Sequence, residues 1–282
     1  VITAAGNRHH VDPAIARSWL LVPATRPERF TPAAHGAADV VVLDVEDAVA
    51  EAGKVLARTN VLAWLRAGGR AWVRVNGAST AHWGTDLDAL ADAPGLLGVV
   101  LAKTESAAEV DETAARLPAG TPVVALVESA LGVEVALEVA RASATLRLAF
   151  GVGDYCRDTG ASKDPLALAY PRSRLVVASR AAGLGGPVDG PTLAVDEAAL
   201  VRETQLAASL GMTGRLSLRA EQAPTLNRLL SPGAPEVAAA RAVVAELGED
   251  GAGVRDGSDG PRLAGAKKVL ALAAALAGHP AP

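Results

Sequence analysis

Two apolar runs in this chain stop on carboxylates: VVALVES reaches Glu128 and LAFGVGD reaches Asp154. The two lie 154 − 128 = 26 positions apart, the length of one strand-plus-helix unit, so parallel strands would bring both to one rim. Carboxylates gathered at a rim require a cation. Oxygen ligands without His or Cys select a hard, partly hydrated ion, Mg2+ or Mn2+ rather than zinc. Either carboxylate alone reads equally as a helix cap or a rim ion pair; the joint pattern carries the metal reading.

Other apolar runs end in the same manner. Residues 39–44 close on Asp44, with Glu46 and Asp47 just beyond; 71–76 present Arg74 and Asn76; 97–103 end at Lys103, with Glu105 after it; 214–219 end at Arg219. Acids at this density repel one another unless cations offset them, so Arg74 and Lys103 are expected beside the cluster of Asp44, Glu46 and Asp47. The planar fork of Arg74 suits a bidentate grip on a substrate acid, with a barrel-interior ion pair to Glu46 or Asp47 as its structural alternative, and Asn76, Lys103 and Glu128 are expected to contact the substrate beside it. Lys103 divides evenly between neutralising the acidic cluster and direct catalysis. Cys156 follows Asp154 without a histidine partner in sequence and reads as a small packed side chain. The five histidines form no ligand pair, and His9 with His10 reads as a solvated turn.

The elements that must position these groups are short. Strand-like runs occupy 18–23, 39–44, 71–76, 97–103, 122–128, 146–151, 187–190 and 214–219. Most lack polar alternation, as strands buried on both faces of a parallel sheet do. Segments with helical spacing lie between them, among them 106–117, 130–142, 173–184 and 196–211. Such alternation, without a Gly-rich phosphate loop, predicts an α/β fold closed as a (β/α)8 TIM barrel over 17–234, the catalytic domain. Residues 1–16 are expected as a flexible lead-in. Residues 235–282 are expected as a C-terminal helical extension and inter-subunit lid: a helix over 235–248, a polar loop over 249–260 and a helix over 261–278, with Pro261 at its start and Gly278 after its end. Leu263, Val269, Leu270, Leu272 and Leu276 need an apolar partner, which predicts a neighbouring subunit and a homo-oligomer.

Composition narrows the function. Half of the 282 residues are hydrophobic but only 3% aromatic, so Val, Leu and Ala must fill the core and no aromatic nucleic-acid platform is available. A net charge of −4 gives no general attraction for nucleic acid or an acidic membrane, and any phosphate binding must be local. One cysteine excludes an internal disulfide and a cysteine zinc cluster and fits a reducing cytosol, so a cytoplasmic location is expected. No stretch has signal-peptide or membrane-spanning length, and with Val rather than Met first, the natural start is expected upstream.

Six strings carry a resemblance: RSWLLVPATRPERF, ADVVVLDVEDAVAEAGKVLAR, WVRVNGASTAHWGTDL, VVLAKTES, ALVESALGV and FGVGDY. In that order, over roughly residues 17 to 276, the chain resembles the HpcH/HpaI aldolase and citrate lyase family, within it the citrate lyase beta subunits and the malyl- or citramalyl-CoA lyases. The resemblance implies Mg2+ on Glu128 and Asp154, Arg74 on substrate oxygens, and Arg26 of the first βα loop near the phosphates of a CoA thioester. It also implies that Asp259, or Asp256 in the same loop, reaches the adjacent subunit's site for acid–base chemistry in a trimer or hexamer. One departure stands out: after strand 8, where many relatives carry Ile-His-Pro-x-Gln, this chain has Leu218-Arg219-Ala220-Glu221-Gln222.

The activity so implied is Mg2+-dependent carbon–carbon cleavage, or formation, of a 3-hydroxyacyl-CoA of the malyl-, citramalyl- or citryl-CoA type, giving an acyl-CoA and a 2-oxo acid. Two alternatives stay open. One is an aldolase acting on free 2-oxo acids without CoA; the other is a metal-binding barrel that has lost catalysis. Retention of so many charged residues weighs against the second.

Overall fold

The runs of Val, Leu and Ala form eight parallel strands that close, in sequence order, into a barrel in the computed structural model, which describes residues 11–277. They are β1 (Ser18–Pro23), β2 (Val40–Asp44), β3 (Ala71–Val75), β4 (Leu96–Leu101), β5 (Val123–Val127), β6 (Thr145–Phe150), β7 (Val188–Asp189) and β8 (Gly214–Ser217). The helices are α1 (Phe30–Ala34), α2 (Lys54–Arg66), α3 (Ala81–Leu90), α4 (Ala107–Ala115), α5 (Ala130–Glu134), α6 (Ala136–Arg141), α7 (Val152–Thr159), α8 (Ala169–Ala181), α9 (Glu197–Ser209), α10 (Ala223–Leu229), α11 (Ala234–Leu247) and α12 (Asp259–Leu276). The chain is a (β/α)8 TIM barrel with C-terminal helices. Among the described residues no helix is long and apolar enough to cross a membrane.

Alternate strand residues feed two cores. Trp19, Leu21, Val42, Trp72, Val100, Val124, Leu126 and Leu216 fill the barrel, and the rings of Trp19 and Trp72 meet edge to face at 5.3 Å. Leu20, Leu43, Val73, Leu101, Ala125 and Leu148 belong to the larger cluster packed against the helices. Continuing the inward parity past each run puts Asp44, Arg74 and Glu128 on the barrel side at the mouth, two residues beyond Val42, Trp72 and Leu126.

Several elements depart from their sequence expectation. The helix predicted over 130–142 breaks into α5 and α6 at Val135. The helix predicted from 173 begins at Ala169, and the last one begins at Asp259, leaving Pro261 inside its first turn. Residues 11–16, expected as part of a flexible lead-in, are packed under the floor: Val11 and Ala16 are buried, and the buried Arg147 donates to the carbonyls of Pro13 at 3.3 Å and Ala16 at 2.7 Å. His9, His10 and Gly278 lie outside the described residues.

The final helix also finds apolar partners within its own chain. Leu263 and Ala266 are buried in a hairpin with α11, while Leu276 and Leu272 join Val11 and Ile15 in the floor cluster. The inference from an unpartnered apolar face to a neighbouring subunit therefore loses its premise.

Candidate active site at the barrel mouth

The acidic cluster expected from the strand ends is assembled at the mouth. Asp44 ends β2 opposite Arg74 of β3 in the ladder. Arg74 donates to both Asp44 oxygens, from Nε at 2.8 Å and from Nη2 at 2.5 Å, and its Nη1 lies 3.3 Å from Glu46 Oε2. The ion-pair partners of Arg74 are thus Asp44 and Glu46, not Asp47. The Nε/Nη2 edge of its fork is filled, so a bidentate grip on substrate through that edge is not available, and Nη1 is the nitrogen left facing the cluster.

Lys103, two residues beyond β4, has φ +51°, making it the one non-glycine with positive φ among the described residues. A left-handed backbone on a side-chain-bearing residue costs about 1–3 kcal/mol and persists where surrounding contacts enforce it. Here the strain aims the Lys103 amide at Glu128 Oε1, 2.8 Å away. The ammonium meets Glu46 Oε1, Asp47 Oδ1 at 3.3 Å and Asp154 Oδ2 at 3.8 Å. Gly77 accommodates this turn, since a Cβ there would lie 3.1 Å from both Lys103 Cβ and Ala102 O.

Glu128 follows β5 and is 5% exposed; Asp154 sits in the first turn of α7, just past β6. Burial, then the charges of Glu46 and Asp154, push Glu128 up to about 8 against the pull of Arg74 and the Lys103 amide. Burial likewise raises Glu46, opposed by Arg74 and Lys103. Asp154 Oδ1 is paired with the exposed Arg157 at 2.9 Å, but its Oδ2 is buried with no hydrogen-bond partner. A Cβ on Gly151 would fall 2.1 Å from Glu128 Oε2, so only glycine lets the carboxylate lie across this turn.

These observations test whether the residues fit a divalent cation. The charge of half-buried Asp154 helps raise buried Glu128, and Asp154 Oδ2 has no hydrogen-bond donor, with the Lys103 ammonium no closer than 3.8 Å; a cation between them relieves both conditions. Among the described residues no set of three or more His, Cys, Asp and Glu is arranged to hold a metal. A two-carboxylate donor set completed by water and substrate is what Mg2+ accepts.

The remaining predicted groups divide. Asn76, expected on substrate, is a correction: its amide is committed to Lys54, Asp86 and Val45, which places it behind the site. Arg26 is exposed in the first βα loop, with no side-chain partner among the described residues. Asp259 is buried within the C-terminal hairpin, accepting from the Arg255 amide at 3.0 Å and from Arg262 at 2.7 Å. It lies at the opposite end of α12 from Leu276, about 25 Å along the helix. The chain does not bring it to its own Glu128 and Asp154. Asp256 is exposed in the preceding loop, where it caps Ser258. Arg219 crosses to the carbonyls of Leu193 and Ala194 before α9, and Cys156 is half-buried on α7.

Sequence reasoning missed the groups that act from behind. Lys54 and Arg58 of α2 and Asp86 of α3 form a buried network with Asn76, and Arg172, Arg215 and Asp189 form another between β7, β8 and α8. The only available signal was the presence of charged residues on helix faces otherwise needed for packing.

Comparison with known proteins places this geometry among relatives. The family described as HpcH/HpaI aldolase/citrate lyase matches residues 17–220, and the HpcH/HpaI aldolase C-terminal domain matches 235–277. A citrate lyase subunit beta-like protein of Mycobacterium tuberculosis is 36% identical over 268 residues, covering 91% of this chain and 95% of that protein. A (3S)-malyl-CoA thioesterase of Cereibacter sphaeroides is 31% identical over 276 residues, covering 93% and 95%. The crystal structure of CitE from Mycobacterium tuberculosis in complex with magnesium, acetoacetate and coenzyme A superposes with a TM-score of 0.77 at 34% identity, covering 93% of this chain and 99% of that one.

Proposed function

The chain belongs to the HpcH/HpaI aldolase/citrate lyase family, and from that premise we propose that it is a Mg2+-dependent carbon–carbon lyase acting on a 3-hydroxyacyl-CoA. The substrate is of the malyl-, citramalyl- or citryl-CoA type, cleaved to, or formed from, an acyl-CoA and a 2-oxo acid. The observation that carries the reading is the buried, donorless Asp154 Oδ2 beside a Glu128 raised to about 8. Magnesium in the M. tuberculosis CitE structure supports the choice of ion, and coenzyme A in the same crystal supports a thioester substrate.

Glu128 and Asp154 would hold the ion, which when bound supplies Lewis-acid polarisation of the substrate oxygens. Arg74, fixed by Asp44, offers Nη1 to the oxygen on which negative charge develops. Lys103 keeps Glu46 and Asp47 from repelling an anionic substrate. Arg26 is assigned to the CoA phosphates. Cleavage removes the hydroxyl proton, breaks the carbon–carbon bond and leaves its electron pair on the thioester enolate, which must then be protonated. That proton traffic is assigned to Asp259 of an adjacent subunit, with the exposed Asp256 as its alternative, in a homo-oligomer of trimer or hexamer type. Asp259 must leave Arg262 to act.

The C. sphaeroides relative favours a second outcome, hydrolysis of the thioester. Incubation with malyl-, citramalyl- and citryl-CoA, with and without Mg2+, separates the readings by mass spectrometry. Acyl-CoA plus 2-oxo acid supports the lyase, free CoA plus intact hydroxy acid supports hydrolysis, and no Mg2+-dependent product overturns both.

A further inference from the structure

One buried lysine takes no part in this chemistry. β2 leaves the barrel at Asp44, and the next two carbonyls, of Val45 and Glu46, each accept twice: Val45 O from Asn76 Nδ2 at 3.3 Å and Glu46 O from the Val49 amide at 3.0 Å, and both from Lys54 in the first turn of α2. Lys54 Nζ donates to Val45 O at 2.9 Å, Glu46 O at 2.8 Å and Asn76 Oδ1 at 2.8 Å, which uses all three ammonium hydrogens. Lys54 is 7% exposed, and its three acceptors are all neutral. Its counter-charge stands one residue further back. Asn76 donates from Nδ2 to Asp86 Oδ2 at 2.6 Å and from its amide to the same oxygen at 3.1 Å, while Arg58 holds Asp86 Oδ1 at 3.0 Å.

An ammonium ringed by two backbone carbonyls and an amide oxygen occupies the kind of site a monovalent cation would take. Burying it is costly unless the geometry it enforces is useful. Glu46, whose carbonyl it holds, extends its carboxylate to Lys103 and Arg74, and Lys103 is the ammonium closest to Asp154. We propose that Lys54 is a positioning residue, a tethered internal cation that fixes the 45–46 turn so that Glu46 holds the Lys103 ammonium and leaves it 3.8 Å from Asp154 Oδ2, beyond hydrogen-bond reach. Without it, Lys103 is free to close on Asp154 and compete with the metal. The inference rests on the metal reading of Glu128 and Asp154.

The test uses Lys54→Met, which retains most of the stem and loses the charge, and Lys54→Ala, which leaves room for an added amine; Lys54→Gln replaces the methionine variant if that does not fold. In metal-free protein, amide exchange over 45–49 should quicken by about tenfold, as local opening becomes easier. Calorimetric Mg2+ affinity should fall ~10- to 100-fold, the usual cost of losing an outer-shell partner. Ethylammonium, but not sodium, should restore part of both losses in Lys54→Ala. Wild-type exchange and wild-type Mg2+ affinity in folded Lys54→Met, or a folded Lys54→Ala that ethylammonium leaves unchanged, overturn the assignment. A wild-type protein that binds no Mg2+ brings down the metal reading instead, and the exchange measurement with its amine rescue then decides the role of Lys54 alone.

Discussion

At the floor of the barrel Arg147 is fully buried, and each of its nitrogens has an acceptor: Nε and Nη2 on Gly186 O, Nη1 on Ala16 O and Pro13 O, and Nη2 also on Thr213 Oγ1. At the mouth Asp154 Oδ2 is just as hidden and has no donor, Glu128 is held up near 8, and Lys103 carries a left-handed backbone. Burial pulls Arg147 down to about 9, yet each of its nitrogens finds an acceptor, whereas Asp154 Oδ2 finds no donor, as is also true of Ser179 Oγ, Thr204 Oγ1, Arg215 Nε and Gln222 Oε1, which find no partner. Only Asp154 among these sits beside a second carboxylate raised by its charge, where a ligand can complete it. The floor is therefore where substitution should cost stability, and the mouth where it should cost activity.

The largest effect expected from that contrast is at the mouth. Glu128→Ala or Asp154→Ala should lower Mg2+-dependent turnover by about 10³-fold or more, while the metal-free melting temperature stays level or rises, because a repelling carboxylate has gone. A large fall in melting temperature for either variant would make the pair structural. Arg147→Met, at the other end, should cost about 3 kcal/mol or more in denaturant unfolding with kcat unchanged, since several buried carbonyls lose their donor. A stable variant would erase the asymmetry between the ends.

Arg74→Lys probes the boundary between the two roles. A point ammonium cannot grip Asp44 with two nitrogens and still face Glu46, so kcat should drop by about 100-fold at saturating substrate, with a smaller stability loss. Near wild-type kinetics would confine Arg74 to holding Asp44.

The smallest effect sharpens the electrostatics. Between the ordinary carboxylate range and about 8, Glu128 holds a proton that the unfolded chain has lost, so its contribution makes the metal-free fold less stable as pH rises through that window. Metal needs the carboxylate, and Mg2+ affinity should weaken by about tenfold per pH unit below 8, with one proton released on binding. Calorimetry in buffers of different ionisation enthalpy reads that proton directly. Affinity independent of pH from 6 to 8 would show that Glu128 enters already ionised.

Much of this was legible in the chain because barrel strands buried on both faces are written as unbroken Val and Leu runs, and the residue that breaks each run is the one at the mouth. Asp44, Glu128 and Asp154 were found that way. β7 shrank from the four residues of PVDG to two, since Pro187 and Gly190 flank it. Of the two partners expected for Arg74, Glu46 is one and Asp47 is not; Asp44 was missed as a partner because strand register is not written in the sequence, and the β2–β3 register sets it directly opposite. Lys54, Asn76 and Asp86 could not be grouped from sequence, as no periodicity links a helix start, a strand end and the middle of the next helix. The position of Asp259 depended on how two helices fold back on each other, which their similar apolar content does not specify.

The shortness of β7 has its own consequence. It meets β6 through one residue pair and β8 through two, yet across that seam Asp189 is held by Arg172 at 3.0 Å and Arg215 at 2.9 Å, with Arg215 also on Glu203 at 3.0 Å. Here the barrel is fastened by charge rather than by a ladder. Desolvating charge becomes less costly as water warms, whereas apolar burial gains little more. On heating, this narrow joint should hold relatively better than its few backbone bonds imply, and in the cold it should be among the first places where the wall loosens.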